Sequence, residues 1–248
     1  MANRSAKRHP PIWEGVFSRM PPERGSRAFG SNVWFRKIHA MAIQQRRASG
    51  LQGQSLLVHW LAAFSLGPRV RILDVGGGLA GEWWSAQGAL RGRKKMEYWI
   101  LETPEVCRYA EKHPERGLKV RHIYELAQGP KTYDLVWISQ TLQYFEDWKG
   151  LLNSLAAKRP RSLLIHGLLG GVQPRFASLQ NFYGSKIPVW FFNVKELVQT
   201  LSRLGYDLRM ESGVPSEYFD KIQPPPMKNF PPRLRIRNKR FLAFARRS

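Results

Sequence analysis

The segment Arg71-Ile-Leu-Asp-Val-Gly-Gly-Gly-Leu-Ala-Gly81 decides the fold class of this chain. A short apolar run ends in an aspartate, and three glycines follow at once. Such a run is typical of a buried strand in a parallel sheet. The glycines let the backbone turn tightly and approach a ligand without side chains in the way. Because Gly76-x-Gly78-x-x-Gly81 also fits the glycine pattern of dinucleotide-binding loops, the segment predicts a ligand at the end of the first strand.

Strand and helix signals alternate after this segment, as in a series of βαβ units. The predicted fold is therefore α/β and Rossmann-like, with a mostly parallel central sheet, helices on both faces and an antiparallel closing strand. The predicted strands cover residues 70–75, 96–102, 119–124, 133–139, 162–166, 206–210 and 241–245, and the predicted helices cover 104–112, 148–157 and 194–204.

The chain is predicted to have two parts. Residues 1–66 form a basic N-terminal extension with a leader at 1–11, an aromatic segment at 12–18, and helices at 31–50 and 54–66. Residues 67–248 form the main domain. Within it, residues 167–192 are rich in glycine, proline and aromatic residues without a clean period, which predicts an irregular substrate-side insert that forms a loop or lid. Residues 221–240 are predicted to be a basic, proline-rich loop.

Positive charge is concentrated at both ends of the chain. The sequence has 40 Lys and Arg against 18 Asp and Glu, a net charge of +22. Residues 1–50 carry 10 basic and 2 acidic groups, and residues 221–248 carry 9 basic and no acidic groups. Such ends suit an anionic partner, namely RNA, an acidic lipid surface or an anionic glycan. The alternative is a solvated basic surface, since no repeated basic-aromatic module accompanies the charge.

The chain is expected to be cytoplasmic. No apolar run approaches the length of roughly 20 residues that a membrane span needs. Cys107 is the single cysteine, so no intrachain disulfide can form. The sequence leaves the oligomeric state open.

Asp74 indicates which ligand the glycine loop binds. A carboxylate at the end of the strand would repel a pyrophosphate but suits a ligand with an ammonium group. S-adenosylmethionine carries an ammonium and a sulfonium and has no phosphate. We therefore expect Asp74, Gly76, Gly77 and Gly78 to form a pocket for this cofactor. Glu102, at the end of the second predicted strand, is expected to accept hydrogen bonds from the ribose hydroxyls; the alternative is an acid that caps the next helix.

The segment Ser139-Gln-Thr-Leu-Gln-Tyr144 follows the fourth predicted strand, at the edge where open α/β sheets bind ligands. Its uncharged hydrogen-bonding groups suit methyl transfer, in which positioning supplies much of the rate. Ser139, Gln140 and Gln143 are predicted to contact the cofactor. Glu125, after the third strand, is predicted to border the adenine.

Two residues are candidates for catalysis. Tyr144 ends the segment just described, and His166 ends the fifth predicted strand at the same edge. His166 is a candidate general base that would deprotonate an acceptor hydroxyl; the alternative is a structural hydrogen-bonding role. No metal site is expected, because the other histidines lack the spacing to cysteine or acid partners that metal ligands show.

Taken together, these residues resemble the class I S-adenosylmethionine-dependent methyltransferases. Asp74-Val-Gly-Gly-Gly78 is similar to the family's first motif, Glu102 to its ribose-binding acid, and Tyr133-Asp-Leu-Val136 to the lead into its fourth motif. A closer resemblance is to a group of bacterial methyltransferases often encoded among surface-polysaccharide genes. The segments that resemble this group are Trp13-Glu-Gly-Val-Phe-Ser18, Asp74 to Leu79, Trp99 to Pro104 and Ser139 to Tyr144.

The resemblance implies a cytoplasmic enzyme that methylates oxygen or nitrogen of a sugar or another small or glycan acceptor. Residues His166 to Gly171 depart from the Arg-Thr-Pro-like turn of that group, and the basic ends are not part of the resemblance. Two alternatives stay open: a methyltransferase acting on RNA or another polyanion through the basic ends, and a non-catalytic cofactor-binding protein. An NAD-dependent oxidoreductase is the least expected, since no Tyr-x-x-x-Lys pair is visible.

Overall fold

The computed structural model of this protein describes residues 11–25, 28–47, 68–90, 95–182, 184–219 and 221–247. The predicted helix at 54–66 and nearly all of the predicted leader at 1–11 lie outside the described residues. The strands are β1 (Trp13–Phe17), β2 (Arg69–Val75), β3 (Lys95–Leu101), β4 (Val120–Ile123), β5 (Leu135–Ser139), β6 (Ser162–Leu168), β7 (Gly170–Gly171), β8 (Phe176–Phe182), β9 (Ser185–Asn193), β10 (Tyr206–Val214), β11 (Glu217–Tyr218), β12 (Lys221–Ile222) and β13 (Lys239–Arg246). The helices are α1 (Asn32–Arg47), α2 (Gly81–Leu90), α3 (Pro104–Lys112), α4 (Trp148–Ala157) and α5 (Val194–Arg203).

A seven-stranded sheet forms the centre of the fold, in the order β10-β13-β6-β5-β2-β3-β4. Neighbouring strands from β6 to β4 in this order are parallel. Strand β13 is antiparallel to both of its neighbours, β6 and β10. The predicted Rossmann-like α/β fold with an antiparallel closing strand is confirmed.

The apolar run of β2 is buried on both faces of this sheet. Leu73 and Val75 belong to a core that also contains residues of α4 and α5. Ile72 belongs to the core on the opposite face, which contains Trp83 of α2. A strand covered by helices on both sides needs apolar residues at every position, and this explains why the run is continuous rather than alternating.

Side chains at the helix starts fix where three helices begin. Thr103 Oγ1 accepts a hydrogen bond from the Val106 amide at the start of α3. Asp147 and Asn193 cap α4 and α5 in the same way. Each cap satisfies an amide that has no partner inside its helix. Since α3 and α4 follow β3 and β5, their caps lie at the carboxyl edge of the sheet.

The prediction of an irregular insert at residues 167–192 is wrong. These residues contain β7, β8 and β9, and β8 pairs with β9 as an antiparallel hairpin over seven registered residue pairs. All residues from Phe176 to Leu179 and from Val189 to Phe192 are buried, so these parts of the two strands show no alternation. Pro188 is tolerated because β9 pairs with β7 only at Phe192 and Asn193, which leaves its other edge unpaired at the proline.

Strand β1 extends this hairpin into a four-stranded sheet in the order β1-β8-β9-β7. Glu14 supports the pairing, because it forms an ion pair with Lys186 and accepts a hydrogen bond from Asn181. The aromatic segment at residues 12–18 therefore packs against residues 176–182. The division into parts at residues 1–66 and 67–248 stays a prediction.

Helix α1 packs against the main domain through an aromatic cluster. Trp34 and Phe35 of α1 pack with Val106 and Tyr109 of α3, and the rings of Phe35 and Tyr109 stack at 4.2 Å. Phe29, just before α1, contacts Tyr144 at a ring distance of 5.0 Å. These contacts bring α1 to the carboxyl edge of the central sheet. Within the described ranges, every helix is too short or too polar to span a bilayer.

Candidate functional site

A cavity of about 1160 Å³ lies at the carboxyl ends of β2, β3 and β5. This is the edge at which open α/β sheets bind ligands. Residues of α1 bound the cavity on the side away from the sheet. Its lining includes Phe29, Trp34, Lys37, Ile38, Met41, Asp74, Gly76, Gly77, Gly78, Leu101, Glu102, Thr103, Glu125, Leu126, Ser139, Gln140, Thr141 and Tyr144.

Each of the three glycines in the loop after β2 has a structural reason for lacking a side chain. Gly76 has a φ of +73°, and a Cβ there would overlap the Thr141 side chain. A Cβ on Gly77 would overlap the carboxylate of Asp74. Gly78 has a φ of +56°, but no atom lies within 4 Å of the position of its Cβ. Two glycines thus let the loop pack tightly, and the third leaves open space at the wall of the cavity.

Glu102 holds the glycine loop from the neighbouring strand. Its Oε1 accepts a hydrogen bond from the Gly78 amide at 3.1 Å, and its Oε2 accepts one from the Thr103 amide at 3.0 Å. Burial raises the pKa of Glu102, while these two hydrogen bonds lower it. A carboxylate has about four acceptor positions, so each oxygen keeps one for a ligand hydroxyl.

Asp74 is a buried acid beneath the glycine loop. Its side chain is 1% exposed, and its Oδ2 accepts a hydrogen bond from the Tyr98 hydroxyl at 2.8 Å. Burial, with smaller contributions from Glu82 and Glu102, raises the pKa of Asp74 to about 8. A cation placed in the cavity would stabilise the ionised form and lower this pKa.

The backbone after β5 turns sharply and presents polar groups to the cavity. Gln140 has a φ of +52°, which is uncommon for a residue other than glycine. Its amide donates to the His166 carbonyl at 2.8 Å, and Thr141 Oγ1 donates to the Ser139 carbonyl at 2.7 Å. Ser139, Gln140 and Thr141 all line the cavity. The strained turn therefore aims this segment at the space in front of the glycine loop.

His166 lies behind this segment and does not line the cavity. It is 5% exposed, and its ring stacks on Trp137 at 5.5 Å. Its Nδ1 lies 3.1 Å from Ser139 Oγ, and Ser139 does line the cavity. Burial, and secondarily the charge of Lys239, lowers the pKa of His166 to about 4. His166 is thus a neutral ring that reaches the cavity only through Ser139.

The structure brings together most, but not all, of the remaining predicted site residues. Glu125 lines the cavity, beside Leu126. Tyr144 also lines it, and its hydroxyl donates to Gln180 Oε1 at 3.1 Å. Gln143 does not: it is 4% exposed, and its amide nitrogen donates to the Gln140 carbonyl at 2.6 Å. The place of Gln143 is therefore behind the turn, where it holds the backbone of Gln140.

Sequence reasoning missed several residues of the site. Thr141 was passed over inside the Ser139–Tyr144 segment, and Tyr98 inside β3, although each contacts a predicted cofactor residue. The sequence predicted a helix at residues 31–50, but nothing placed Trp34, Ile38 and Met41 of that helix, or Phe29 before it, at the wall of the cavity. Lys239 was assigned to a basic loop; it begins β13, and its Nζ donates to Gln140 Oε1 at 2.8 Å.

Comparison with solved structures gives the same fold. A Burkholderia thailandensis 1,6-didemethyltoxoflavin N1-methyltransferase, solved with S-adenosylhomocysteine, matches 94% of this chain and 95% of its own with a TM-score of 0.52 at 14% identity. An S-adenosylmethionine-dependent methyltransferase from Clostridium acetobutylicum matches 86% of this chain and 98% of its own, with a TM-score of 0.51 at 12% identity. An S-adenosylmethionine-dependent methyltransferase from Mesorhizobium loti matches 79% of this chain and 98% of its own, with a TM-score of 0.51 at 14% identity.

At these identities the likeness extends to the fold alone. No protein-family model matches the sequence, and a search of curated proteins finds no significant match. The chain therefore has the fold of S-adenosylmethionine-dependent methyltransferases, and its chemistry must be argued from the residues that line its own cavity.

Proposed function

We propose that this protein is an S-adenosylmethionine-dependent methyltransferase. The observation that carries the proposal is the arrangement of Gly78 and Glu102. A positive-φ glycine with open space beside it lies against a partly buried carboxylate that keeps free acceptor positions, and both line one cavity. The residues fit this cofactor better than a dinucleotide, because Asp74 is an acid at the loop where a dinucleotide would place its pyrophosphate; Glu102 suits the ribose of either cofactor.

Each residue has a definite role in this proposal. Glu102 accepts hydrogen bonds from the ribose hydroxyls, and Glu125 borders the adenine. Asp74 favours the ammonium end of the cofactor, in contact or through water. Gly76, Gly77 and Gly78 let the backbone approach the ligand. When bound, S-adenosylmethionine supplies an electrophilic methyl group on a positively charged sulfur.

The acceptor side lies beyond the turn after β5. Ser139 and Gln140 offer uncharged hydrogen-bonding groups, and Tyr144 closes the side towards β8. The acceptor that we propose is oxygen or nitrogen of a small molecule, sugar or glycan, in the cytoplasm. Its support is the sequence resemblance and the bounding of the cavity by α1, which suits a small acceptor. His166 stays a candidate base that acts through Ser139.

The test is calorimetry with S-adenosylhomocysteine on three proteins: wild type, Gly78→Ala and Gly205→Ala. Both glycines have positive φ, and no atom lies within 4 Å of the position of a Cβ on either. Both substitutions therefore strain the backbone similarly, by about 1–2 kcal/mol. Of these two glycines, Gly78 lines the cavity and Gly205 does not.

We expect wild type and Gly205→Ala to bind S-adenosylhomocysteine alike and Gly78→Ala to bind it at least about tenfold more weakly, a loss of about 1.4 kcal/mol. The proposal fails if wild type does not bind, or if both variants bind as wild type does. Bound cofactor without methyl transfer to any cell-extract fraction would favour the non-catalytic alternative.

A second candidate is methylation of RNA or another polyanion. Its support is a row of arginines near the C-terminus: Arg233, Arg235 and Arg237 are exposed, and the residues between them are buried. Alternating burial leaves these three side chains on the solvent side of the segment, where the Arg235 guanidinium donates to the carbonyls of Lys228 and Phe230. If RNA is the acceptor, binding must weaken steeply with salt, because each phosphate contact releases counterions. Salt-insensitive RNA binding, or none, excludes this candidate.

A further inference from the structure

Lys239 lies at the ligand-binding edge of the sheet because its strand is antiparallel. Strand β13 runs opposite to β6, and Arg240 pairs with Leu168 at the carboxyl end of β6. The first residue of β13 is therefore at the edge where β5 and β6 end. In a parallel strand the same residue would be at the opposite edge. The topology therefore places Lys239 beside the turn at Gln140.

The contacts of Lys239 join it to the cavity wall. Its Nζ donates to Gln140 Oε1 at 2.8 Å; Gln140 lines the cavity, and Lys239 is joined to the cavity through this residue. Its Nζ also lies 5.5 Å from the centre of the Tyr218 ring. The hydroxyl of Tyr218 is buried beside Ser216. The lysine is therefore held between an amide oxygen and an aromatic face.

Lys239 is a cation without an anion. Among the described residues, no carboxylate oxygen lies within 4.0 Å of its Nζ, whereas Glu14, Glu97 and Glu196 each pair with a cation elsewhere in the fold. Burial lowers the pKa of Lys239 to about 8. Below this pH the side chain is still charged. A partly buried cation of this kind is stabilised by any anion that comes within hydrogen-bonding distance.

We propose that Lys239 recognises an anionic group on the methyl acceptor, a carboxylate or a phosphate. The inference rests on the proposed function, because it assigns the second ligand of the same site. The anion displaces or joins the Gln140 amide oxygen at Nζ and fixes the acceptor beside Ser139 and Gln140. Lys239 is thus a specificity-determining residue, and acceptors that lack a negative charge bind weakly.

The experiment measures anion binding by the full chain, with and without saturating S-adenosylhomocysteine, at constant ionic strength. The probes are inorganic phosphate, benzoate, and benzamide as the neutral match for benzoate. The proteins are wild type, Lys239→Met, Lys239→Arg and Lys228→Met. Lys228 is an exposed lysine of the same C-terminal segment, so its variant removes the same charge outside the site.

We expect wild type and Lys228→Met to bind benzoate or phosphate, whichever resembles the anionic group of the acceptor. If that group is a carboxylate, both proteins should bind benzamide at least about tenfold more weakly than benzoate. Lys239→Met should lose at least about tenfold in anion affinity, as loss of a charge-assisted hydrogen bond implies. Lys239→Arg should retain part of the affinity. Unchanged binding of S-adenosylhomocysteine by Lys239→Met shows that this variant is folded.

Three results of the anion titrations overturn the inference: no anion binding by wild type, equal anion binding by wild type and Lys239→Met, or equal losses in Lys239→Met and Lys228→Met. A tenfold loss of S-adenosylhomocysteine affinity in Lys239→Met also overturns it, because the lysine would then hold the carboxylate of the cofactor. Failure of wild type to bind S-adenosylhomocysteine, with Lys239-dependent anion binding intact, contradicts the proposed function instead.

Discussion

Glu102 Oε1 lies 3.1 Å from the amide nitrogen of Gly78, and this hydrogen bond ties the glycine loop to the end of the neighbouring strand. The two residues are 24 positions apart in the sequence, yet they form one wall of the cavity. The same carboxylate that would bind a ribose therefore also sets the position of the loop. Loss of its charge should disturb both roles at once.

We expect Glu102→Gln to weaken binding of S-adenosylhomocysteine by about tenfold or more, since hydrogen bonds to a charged group contribute about 1.5–3 kcal/mol. The amide keeps the size of the side chain but turns one acceptor into a donor that faces an N–H group. Calorimetry measures the change.

The matched control is Glu97→Gln, on the same strand. Glu97 pairs with Arg69 and Arg71 and does not line the cavity. Its variant should bind the ligand as wild type does. Equal affinities for Glu102→Gln and wild type would contradict a role of Glu102 in the site.

The central sheet was predictable because its strands carry strong local signals. Strand β2 is a continuous apolar run, and β5 places four buried residues in a row before Ser139. Helices α3 and α4 begin at Thr103-Pro104 and Asp147, which are typical helix starts. The predicted bounds of both helices, 104–112 and 148–157, agree with the structure.

The hairpin of β8 and β9 was not predictable in the same way. Its burial comes from β1, 160 residues away in the sequence, and from the segment that contains Met227 and Phe230. Strands covered on both faces lose their alternation, and Pro188 suggested a loop. Lys239 was missed for a similar reason, because only the antiparallel direction of β13 brings it to the edge of the sheet.

Asp74 should make the stability of the free protein depend on pH. Burial raises its pKa from the ordinary 3.8 to about 8 in the folded state. Between these values the folded state holds a proton that the unfolded state releases. The contribution of Asp74 is therefore fully present below about pH 4 and is lost as the pH rises towards 8, at up to about 1.4 kcal/mol per pH unit.

Asp74→Asn removes this dependence while keeping the side chain's size. The free energy of unfolding of the variant, relative to wild type, should rise steadily from pH 5 to pH 7.5. Urea unfolding at several pH values measures it. A difference that does not change with pH would show that Asp74 is ionised in the free protein.

Cofactor binding should release protons near neutral pH. An ammonium group that approaches Asp74 stabilises its carboxylate form and lowers the raised pKa. At pH 7, S-adenosylhomocysteine would then displace a proton from Asp74 to the buffer. Calorimetry in buffers of different ionisation enthalpy counts these protons. The count should be positive for wild type and smaller for Asp74→Asn; equal counts would place the ammonium away from Asp74.

His166 should remain neutral well below its ordinary pKa of 6.5. Burial and the charge of Lys239 lower its pKa to about 4, and its Nδ1 lies 3.1 Å from Ser139 Oγ. Because the unfolded chain takes up a proton near pH 6.5, the stability that His166 contributes is lost as the pH falls from 6.5 towards 4. NMR titration of the ring, assigned by its absence in His166→Gln, measures the folded pKa directly.

The same NMR titration of His166 should be repeated in Lys239→Met. Removal of a nearby positive charge should move the midpoint of His166 upwards, whereas Lys228→Met should leave it in place. A wild-type midpoint at or above 6.5 would contradict the buried, neutral ring. With a depressed midpoint, His166 is unprotonated throughout the neutral range, and it can accept a proton from the acceptor through Ser139 without first losing one.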